Sequence, residues 1–100
     1  MADLSADIIQ TARDKGLRIA TAESCTGGMV SAALTDIAGS SAVFERGFVT
    51  YSNQAKIDLL GVSPETLAAF GAVSNEVARE MALGAKTLAR VDMAVSITGI

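Results

Sequence analysis

The segment AESCTGG, at residues 22–28, brings together several groups that could do chemistry. Ser24 supplies a hydroxyl, Cys25 a thiol and Glu23 a carboxylate, and a glycine pair follows where a predicted strand passes into a predicted helix. In α/β sheets, ligands bind beyond the carboxyl ends of strands, where helix-start amides favour anions. The amides of residues 26–28 could therefore hold a phosphate or an oxyanion. The structural alternative is that Ser24 or Thr26 caps the helix and the glycines form a turn.

A second candidate segment, YSNQAK at residues 51–56, also lies where a predicted strand passes into a helix. Lys56 falls in the first turn of that helix, where the helix dipole disfavours a cation. This repulsion, together with burial, would lower the lysine pKa from about 10.4 toward the ~7–8 that suits a general base. The alternatives are a solvated surface lysine and, for Tyr51, an aromatic side chain of the core or of an interface.

The chain contains no histidine. This excludes Ser-His-Asp and Cys-His catalysis and histidine metal sites within the chain, so a base must be Lys, Glu, Asp or Tyr. Without a histidine to activate it, Cys25 is expected to be a buried or site-lining thiol. Glu23 could orient a base or bind a substrate, although a structural carboxylate fits equally well. Thr98 and Gly99, after the last predicted strand, give a weaker signal of the same kind.

Three predicted strands, at residues 17–22, 44–51 and 92–98, alternate with helices, which indicates an α/β/α sandwich around a mostly parallel or mixed sheet. Asp3 or Ser5 is expected to cap the first helix. Serines should begin three later helices, and apolar stripes should bury one face of each long helix. The capping serines are Ser52, Ser63 and Ser74; the stripes are Leu4, Ile8, Ile9 and Ala12, then Val30, Ala33, Leu34 and Ile37, then Val77, Met81, Ala85 and Leu88.

Composition narrows the class of protein. One hundred residues make one domain, and half of them are hydrophobic, which supports a well-buried core. A net charge of −3 and a pI near 4.7 argue against nucleic-acid binding. No uncharged run approaches the about 20 residues of a membrane span, and the acidic N-terminus is unlike a secretory signal, so we expect a cytoplasmic protein. A sheet of three strands would leave two bare edges, so we also expect the natural domain to continue past Ile100.

Taken together, five blocks resemble the CinA C-terminal domain family. They are AESCTGG at residues 22–28, AGSSAVFERGFVTYSNQAK at 38–56, LLGV at 59–62, GAVS at 71–74 and SITGI at 96–100. The resemblance covers essentially the whole chain, in order. It implies hydrolysis of nicotinamide mononucleotide to nicotinic acid mononucleotide and ammonia.

The resemblance also implies a serine-lysine dyad that acts through an acyl-enzyme, without metal or organic cofactor. The family serine matches Ser24, the lysine matches Lys56 and the tyrosine matches Tyr51. Substrate-binding candidates follow from the same matches and from the signals above: Glu23, Cys25, Thr26, Gly27, Gly28, Ser41, Asn53 and Thr98. The expected partner is a small nucleotide, and a homo-oligomer is compatible with the sequence. Two other interpretations stay open: a non-catalytic nucleotide- or phosphate-binding regulatory module, and a purely structural oligomerisation domain.

Overall fold

A computed structural model describes residues 2–100 and contains a three-stranded parallel sheet. Strand β1 spans Ile19–Glu23, β2 spans Phe44–Val49 and β3 spans Met93–Ile97. The strand order is β2-β1-β3, and β1 pairs in parallel with both neighbours. Every residue of β1 is buried, as expected for the central strand of a sheet covered on both faces.

Five α-helices cover the two faces of the sheet. Helix α1 spans Ala2–Lys15, α2 Met29–Thr35, α3 Asn53–Leu60, α4 Pro64–Phe70 and α5 Asn75–Ala89, and a short 3-10 turn covers Ser40–Ala42. Helices α1 and α2 pack on one face, while α5 crosses the other face and packs against α3 and α4. The predicted three-layer α/β/α architecture is confirmed, and the sheet is wholly parallel.

Local capping signals explain where three of the helices begin. In each case a serine side chain accepts a hydrogen bond from the amide three residues later, which satisfies one of the free donors of the first turn. The pairs are Ser52 with Ala55, Ser63 with Thr66, and Ser74 with Val77. All three predicted caps are confirmed.

The predictions were less accurate for α1 and for the end of α5. Helix α1 already includes Ala2, so neither Asp3 nor Ser5 caps it, and Ser5 is instead buried within the helix. Its predicted apolar face is only half buried: Ile9 and Ala12 pack inward, whereas Leu4 and Ile8 stay exposed. The last buried residue of α5 is Ala89, whereas the sequence predicts Leu88. One residue further along the helix, the side chain points back to the face of α5 that packs on the sheet.

Helices α3 and α5 cross at close range because α5 has a glycine at the crossing point. A side-chain carbon on Gly84 would overlap the carbonyl oxygen of Leu60 and would lie 2.9 Å from its carbonyl carbon. The crossing therefore requires glycine, and it sets the position of α3 over the sheet. Among residues 2–100, no helix is both long and apolar enough to span a bilayer.

Candidate active site

Ser24 lies in a tight corner between β1 and α2. Its amide donates to the carbonyl of Ile97 on β3 at 2.9 Å, and its own carbonyl accepts from the amide of Gly27 at 3.1 Å. Gly27 and Gly28 follow with φ angles of 61° and 112°, a backbone region that residues with side chains rarely adopt. The glycine pair is thus what turns the chain sharply after Ser24.

The carboxylate of Glu23 anchors the same corner from inside. Its oxygens accept five hydrogen bonds, three from amides and two from hydroxyls, and the side chain is 0% exposed. The donors are Thr26 Oγ1 at 2.6 Å, Gly28 N at 3.3 Å, Val30 N at 2.9 Å, Ser31 N at 2.8 Å and Ser31 Oγ at 2.7 Å. Burial alone would raise the pKa of Glu23, but these hydrogen bonds outweigh it and lower the pKa to about 2.

This anchoring changes which amides of the corner are available to a ligand. The amides of Val30 and Ser31, at the start of α2, donate to Glu23. The N-cap residue is Gly28, and neither Ser24 nor Thr26 caps the helix with its side chain. The amides of Gly27 and Met29 also have partners within the turn. Among the described residues, no acceptor is within hydrogen-bonding range of the amides of Cys25 and Thr26.

Lys56 reaches Ser24 from the first turn of α3. Its Nζ lies 3.2 Å from Ser24 Oγ and 3.5 Å from the carbonyl oxygen of Ser52. The lysine is only 1% exposed and the serine 5%, so the pair is shielded from bulk water. The Ser24 hydroxyl can also donate to the carbonyl of Tyr51, at 3.4 Å. Two residues 32 positions apart in the sequence are thereby brought together.

The environment of Lys56 favours its neutral form. Burial lowers its pKa below the ordinary value, and the nearby Cys25 opposes this shift only partly. In residues 2–100, no carboxylate lies within salt-bridge distance of the amine. A lysine of this kind can serve as a proton acceptor nearer neutral pH than a solvated one.

The other predicted site residues are distributed unevenly. Cys25 is exposed beside Ser24. If Gly99 carried a side-chain carbon, that carbon would lie 3.2 Å from the sulfur of Cys25, so the segment after β3 passes close to this corner. Asn53 is exposed at the start of α3. Thr98 follows β3 and donates to the carbonyl of Ala72 at 2.8 Å, next to an open cleft of about 470 Å³.

Two predicted residues make no side-chain hydrogen bond to Ser24 or Lys56. Tyr51 is 75% exposed, and only its backbone carbonyl contacts Ser24. Ser41 lies in the 3-10 turn before β2, at the amino end of a strand of six residues, whereas Ser24 lies at the carboxyl edge of the sheet. At about 3.3 Å per residue these two edges are roughly 20 Å apart.

Three residues of the site lacked any signal in the sequence. Ser31 joins Glu23 to Thr21, whose hydroxyl lies 2.6 Å from Ser31 Oγ. Thr50, at the carboxyl end of β2, is 0% exposed, and its hydroxyl has no hydrogen-bond partner among the described residues. Small hydroxyl side chains are common in such elements, so only the three-dimensional arrangement distinguishes these residues from ordinary ones.

Similar proteins were found at the level of family, sequence and structure. The family model described as "CinA C-terminal domain" matches residues 1–100. The nicotinamide-nucleotide amidohydrolase PncC of Escherichia coli is 60% identical over 97 residues, which cover 97% of this chain and 59% of the relative. A CinA-like protein of Chloroherpeton thalassium is 61% identical over 88 residues, covering 88% of this chain and 21% of the relative.

Solved structures agree with these relatives. The crystal structure of a competence/damage inducible protein from Agrobacterium tumefaciens superposes with a TM-score of 0.93 at 54% identity, covering 99% of this chain and 60% of that one. A CinA superfamily protein from Escherichia coli gives 0.96 at 41% identity, covering 98% and 57%. The chain thus spans about three fifths of the length of the amidohydrolases it matches. Family match, sequence identity and fold agree, and the chain belongs to the CinA C-terminal domain family.

Proposed function

We propose that the protein carrying this chain is an amidohydrolase that converts nicotinamide mononucleotide to nicotinic acid mononucleotide and ammonia. The observation that carries the proposal is the buried contact of 3.2 Å between Lys56 Nζ and Ser24 Oγ, with no carboxylate among residues 2–100 to hold the lysine charged. Relatives at 60% and 57% identity bear the name nicotinamide-nucleotide amidohydrolase, which supports this substrate.

In the first half of the reaction, neutral Lys56 accepts the hydroxyl proton of Ser24 as Oγ attacks the carboxamide carbon. The tetrahedral intermediate collapses when the carbon–nitrogen bond breaks, and the protonated lysine returns its proton to the departing nitrogen, which leaves as ammonia. An ester between Ser24 and the nicotinoyl group remains. The positive charge of the pyridinium withdraws electrons and makes the amide carbon easier to attack.

In the second half, Lys56 accepts a proton from water as the water oxygen attacks the ester carbon. The bond from that carbon to Oγ then breaks, Lys56 returns the proton to Ser24 Oγ, and the carboxylic acid so formed loses its own proton to solvent and leaves as the carboxylate. One amine therefore serves as base and acid in both halves, and its lowered pKa favours the proton-accepting role. This chain needs no histidine for the sequence of steps.

The amides of Cys25 and Thr26 are the proposed donors to the oxyanion. They directly follow the nucleophile and, within residues 2–100, are the amides of the corner that have no acceptor. Fixed amides beside a developing negative charge stabilise a tetrahedral intermediate strongly, and removal of one such donor costs about 10²–10³-fold in kcat in other hydrolases. Of the amides at residues 26–28 that the sequence suggested for this task, only that of Thr26 has no acceptor within residues 2–100, because Gly28 N donates to Glu23 and Gly27 N to the carbonyl of Ser24.

Substrate contacts are proposed for the residues that lie at the carboxyl edge of the sheet. Cys25 and the backbone of Gly27 and Gly28 line the nucleophile's corner, while Asn53 and Thr98 border it on α3 and after β3. Tyr51, exposed beside the pair, is proposed to donate a hydrogen bond to bound substrate. Ser41 and Glu23 are left out of this set, because one lies at the other edge of the sheet and the other has its oxygens bound to protein donors.

The test measures ammonia release from nicotinamide mononucleotide by the complete protein in which this sequence occurs. Ser24→Ala and Lys56→Met should each lower kcat by at least about 10²-fold, the usual contribution of a positioned base or nucleophile. Cys25→Ala removes the neighbouring nucleophilic atom and so distinguishes attack by the hydroxyl from attack by the thiol.

Wild-type turnover in both Ser24→Ala and Lys56→Met would refute the dyad. Activity that survives Ser24→Ala but disappears in Cys25→Ala would assign the chemistry to the thiol. Nucleotide binding by the wild-type protein without any ammonia release would instead support a regulatory binding module.

A further inference from the structure

We propose that Glu23 is a positioning residue for the nucleophile, with its carboxylate fixing the corner that presents Ser24 to Lys56. This inference rests on the proposed function. The observation behind it is that one buried carboxylate, in the residue directly before Ser24, gathers five hydrogen bonds from residues 26–31.

The side chains of Glu23 and Ser24 lie on opposite faces of the sheet. Successive side chains of a strand alternate, and Ala22 packs with the helices of the α5 face whereas Thr21 meets Ser31 of α2 on the other face. The Glu23 carboxylate follows Thr21 toward α2, and the Ser24 hydroxyl meets Lys56 of α3. Glu23 therefore acts on the nucleophile through the backbone and does not touch the reacting atoms.

The carboxylate joins both ends of the glycine turn. One oxygen accepts from Thr26 Oγ1 before the glycine pair and from the amides of Gly28 and Val30, and the other accepts twice from Ser31 within α2. Glycines at positive φ have the widest choice of conformations in the free chain. A single anion that binds both sides of the pair removes that freedom and sets the direction in which residues 24–26 leave the strand.

The same network extends across the sheet to β2. Ser31 Oγ lies 2.6 Å from Thr21 Oγ1, and a side-chain carbon on Gly47 would lie 2.6 Å from both hydroxyl oxygens. Strand β2 thus leaves room for the network by having glycine at this position. Residues of three elements, β1, α2 and β2, thus accommodate the carboxylate and its hydrogen bonds. An ordinary helix cap involves only the residues at the start of one helix.

The chain offers a matched control at the start of α4. Glu80 of α5 accepts from the amide of Ser63 at 2.8 Å and from Thr66 Oγ1 at 2.6 Å, so it also ties a helix start with amide and hydroxyl donors. It belongs to a different layer and does not contact the Ser24 corner. Glu80→Gln therefore reports what the loss of a tethering carboxylate does to the protein without altering the nucleophile.

The experiment compares Glu23→Gln with Glu80→Gln in the complete protein, well below the melting temperature of each variant. The amide nitrogen of Gln cannot accept the two bonds from Ser31, so the corner should shift. We expect kcat to fall about 10- to 100-fold in Glu23→Gln with KM changed less than about threefold, because displacement by about 1 Å can cost 10²-fold. The rate at which a sulfonyl fluoride labels Ser24 should fall in parallel. Glu80→Gln should keep both rates.

If Glu23→Gln fails to fold, Ser31→Ala gives the same test with one donor removed, and Thr66→Ala is its control. We then expect about a threefold or greater loss of kcat in Ser31→Ala alone. Wild-type kcat and labelling rate in a folded Glu23→Gln or Ser31→Ala variant would overturn the positioning role. That result leaves the proposed function intact, which fails separately if Ser24→Ala and Lys56→Met keep their turnover.

Discussion

Replacing Gly84 by alanine tests whether the close crossing of α3 and α5 holds the proposed active site together. Gly84 faces the backbone of Leu60, and a side-chain carbon there would overlap the carbonyl oxygen. Leu60 ends α3, four residues after Lys56. A change in α5 is therefore expected to act on the base of the proposed dyad without touching it directly.

The size of the effect follows from two opposing terms. Alanine is favoured over glycine within a helix by about 1 kcal/mol. Against this, overpacking costs about 1–3 kcal/mol, and backbone atoms cannot move aside as a flexible side chain can. The carbonyl carbon of Leu60 would be at 2.9 Å, whereas carbon atoms prefer about 3.5–4.0 Å, and its carbonyl oxygen would be nearer still, so the helices must separate by roughly 1 Å. We expect the free energy of unfolding to fall by about 1 kcal/mol, and by about 2 kcal/mol if the overpacking cost is at its upper end.

Urea denaturation of Gly84→Ala, together with its kcat for ammonia release, measures both consequences. A shift of α3 by up to about 1 Å should lower kcat about tenfold or more, since it moves Lys56 Nζ away from Ser24 Oγ. Ala82→Gly in the same helix is the control: it should lose about 1 kcal/mol from helix propensity alone and keep its kcat. A Gly84→Ala protein as stable and as active as wild type would refute the described crossing.

Three further predictions concern ionisation. Because only neutral Lys56 can accept a proton, kcat/KM should rise with pH through the lowered pKa of this amine and level off below pH 10.5; a pH-rate profile without such a rise would contradict the base role. Since burial penalises the charged amine and lowers its pKa, Lys56→Met should raise the free energy of unfolding at pH 7, and the gain should shrink as pH rises toward 10.5; chemical denaturation at two pH values measures this. Glu23, with a pKa lowered from 4.5 to about 2, stabilises the fold above pH 4.5, and this contribution, about 3 kcal/mol, should be lost as pH falls to 2. The stability difference between wild type and Glu23→Gln should decrease over that range, and a constant difference would show that the carboxylate titrates alike in the folded and unfolded protein.

The fold was predictable where local signals decide it. Serine caps and the periodicity of apolar residues identified the strands and most helices, because these signals depend on neighbours three or four positions away. The errors lie where burial depends on distant elements. Leu4 and Ile8 have helical spacing, yet the structure packs only Ile9 and Ala12 beneath α1.

The candidate site was less accessible to local reasoning. Taken separately, Ser24 resembled a helix cap and Lys56 a surface lysine, and only the family resemblance paired them; the structure now brings the two side chains within 3.2 Å. The sequence also could not tell in which direction Glu23 points. A carboxylate beside a nucleophile looks like a ligand for substrate, whereas five donors from the following turn draw it into the protein interior.

The backbone of the nucleophile is held by a strand that comes much later in the chain. The Ser24 amide donates to Ile97 of β3, while the Glu23 carbonyl accepts from Thr50 after β2. Parallel pairing of this kind forms slowly, since each partner must be recruited over a long loop. During synthesis on the ribosome, therefore, the first two strands can emerge and pair while the serine still lacks its second backbone anchor. The geometry of the proposed serine-lysine dyad should be complete only after the third strand has docked.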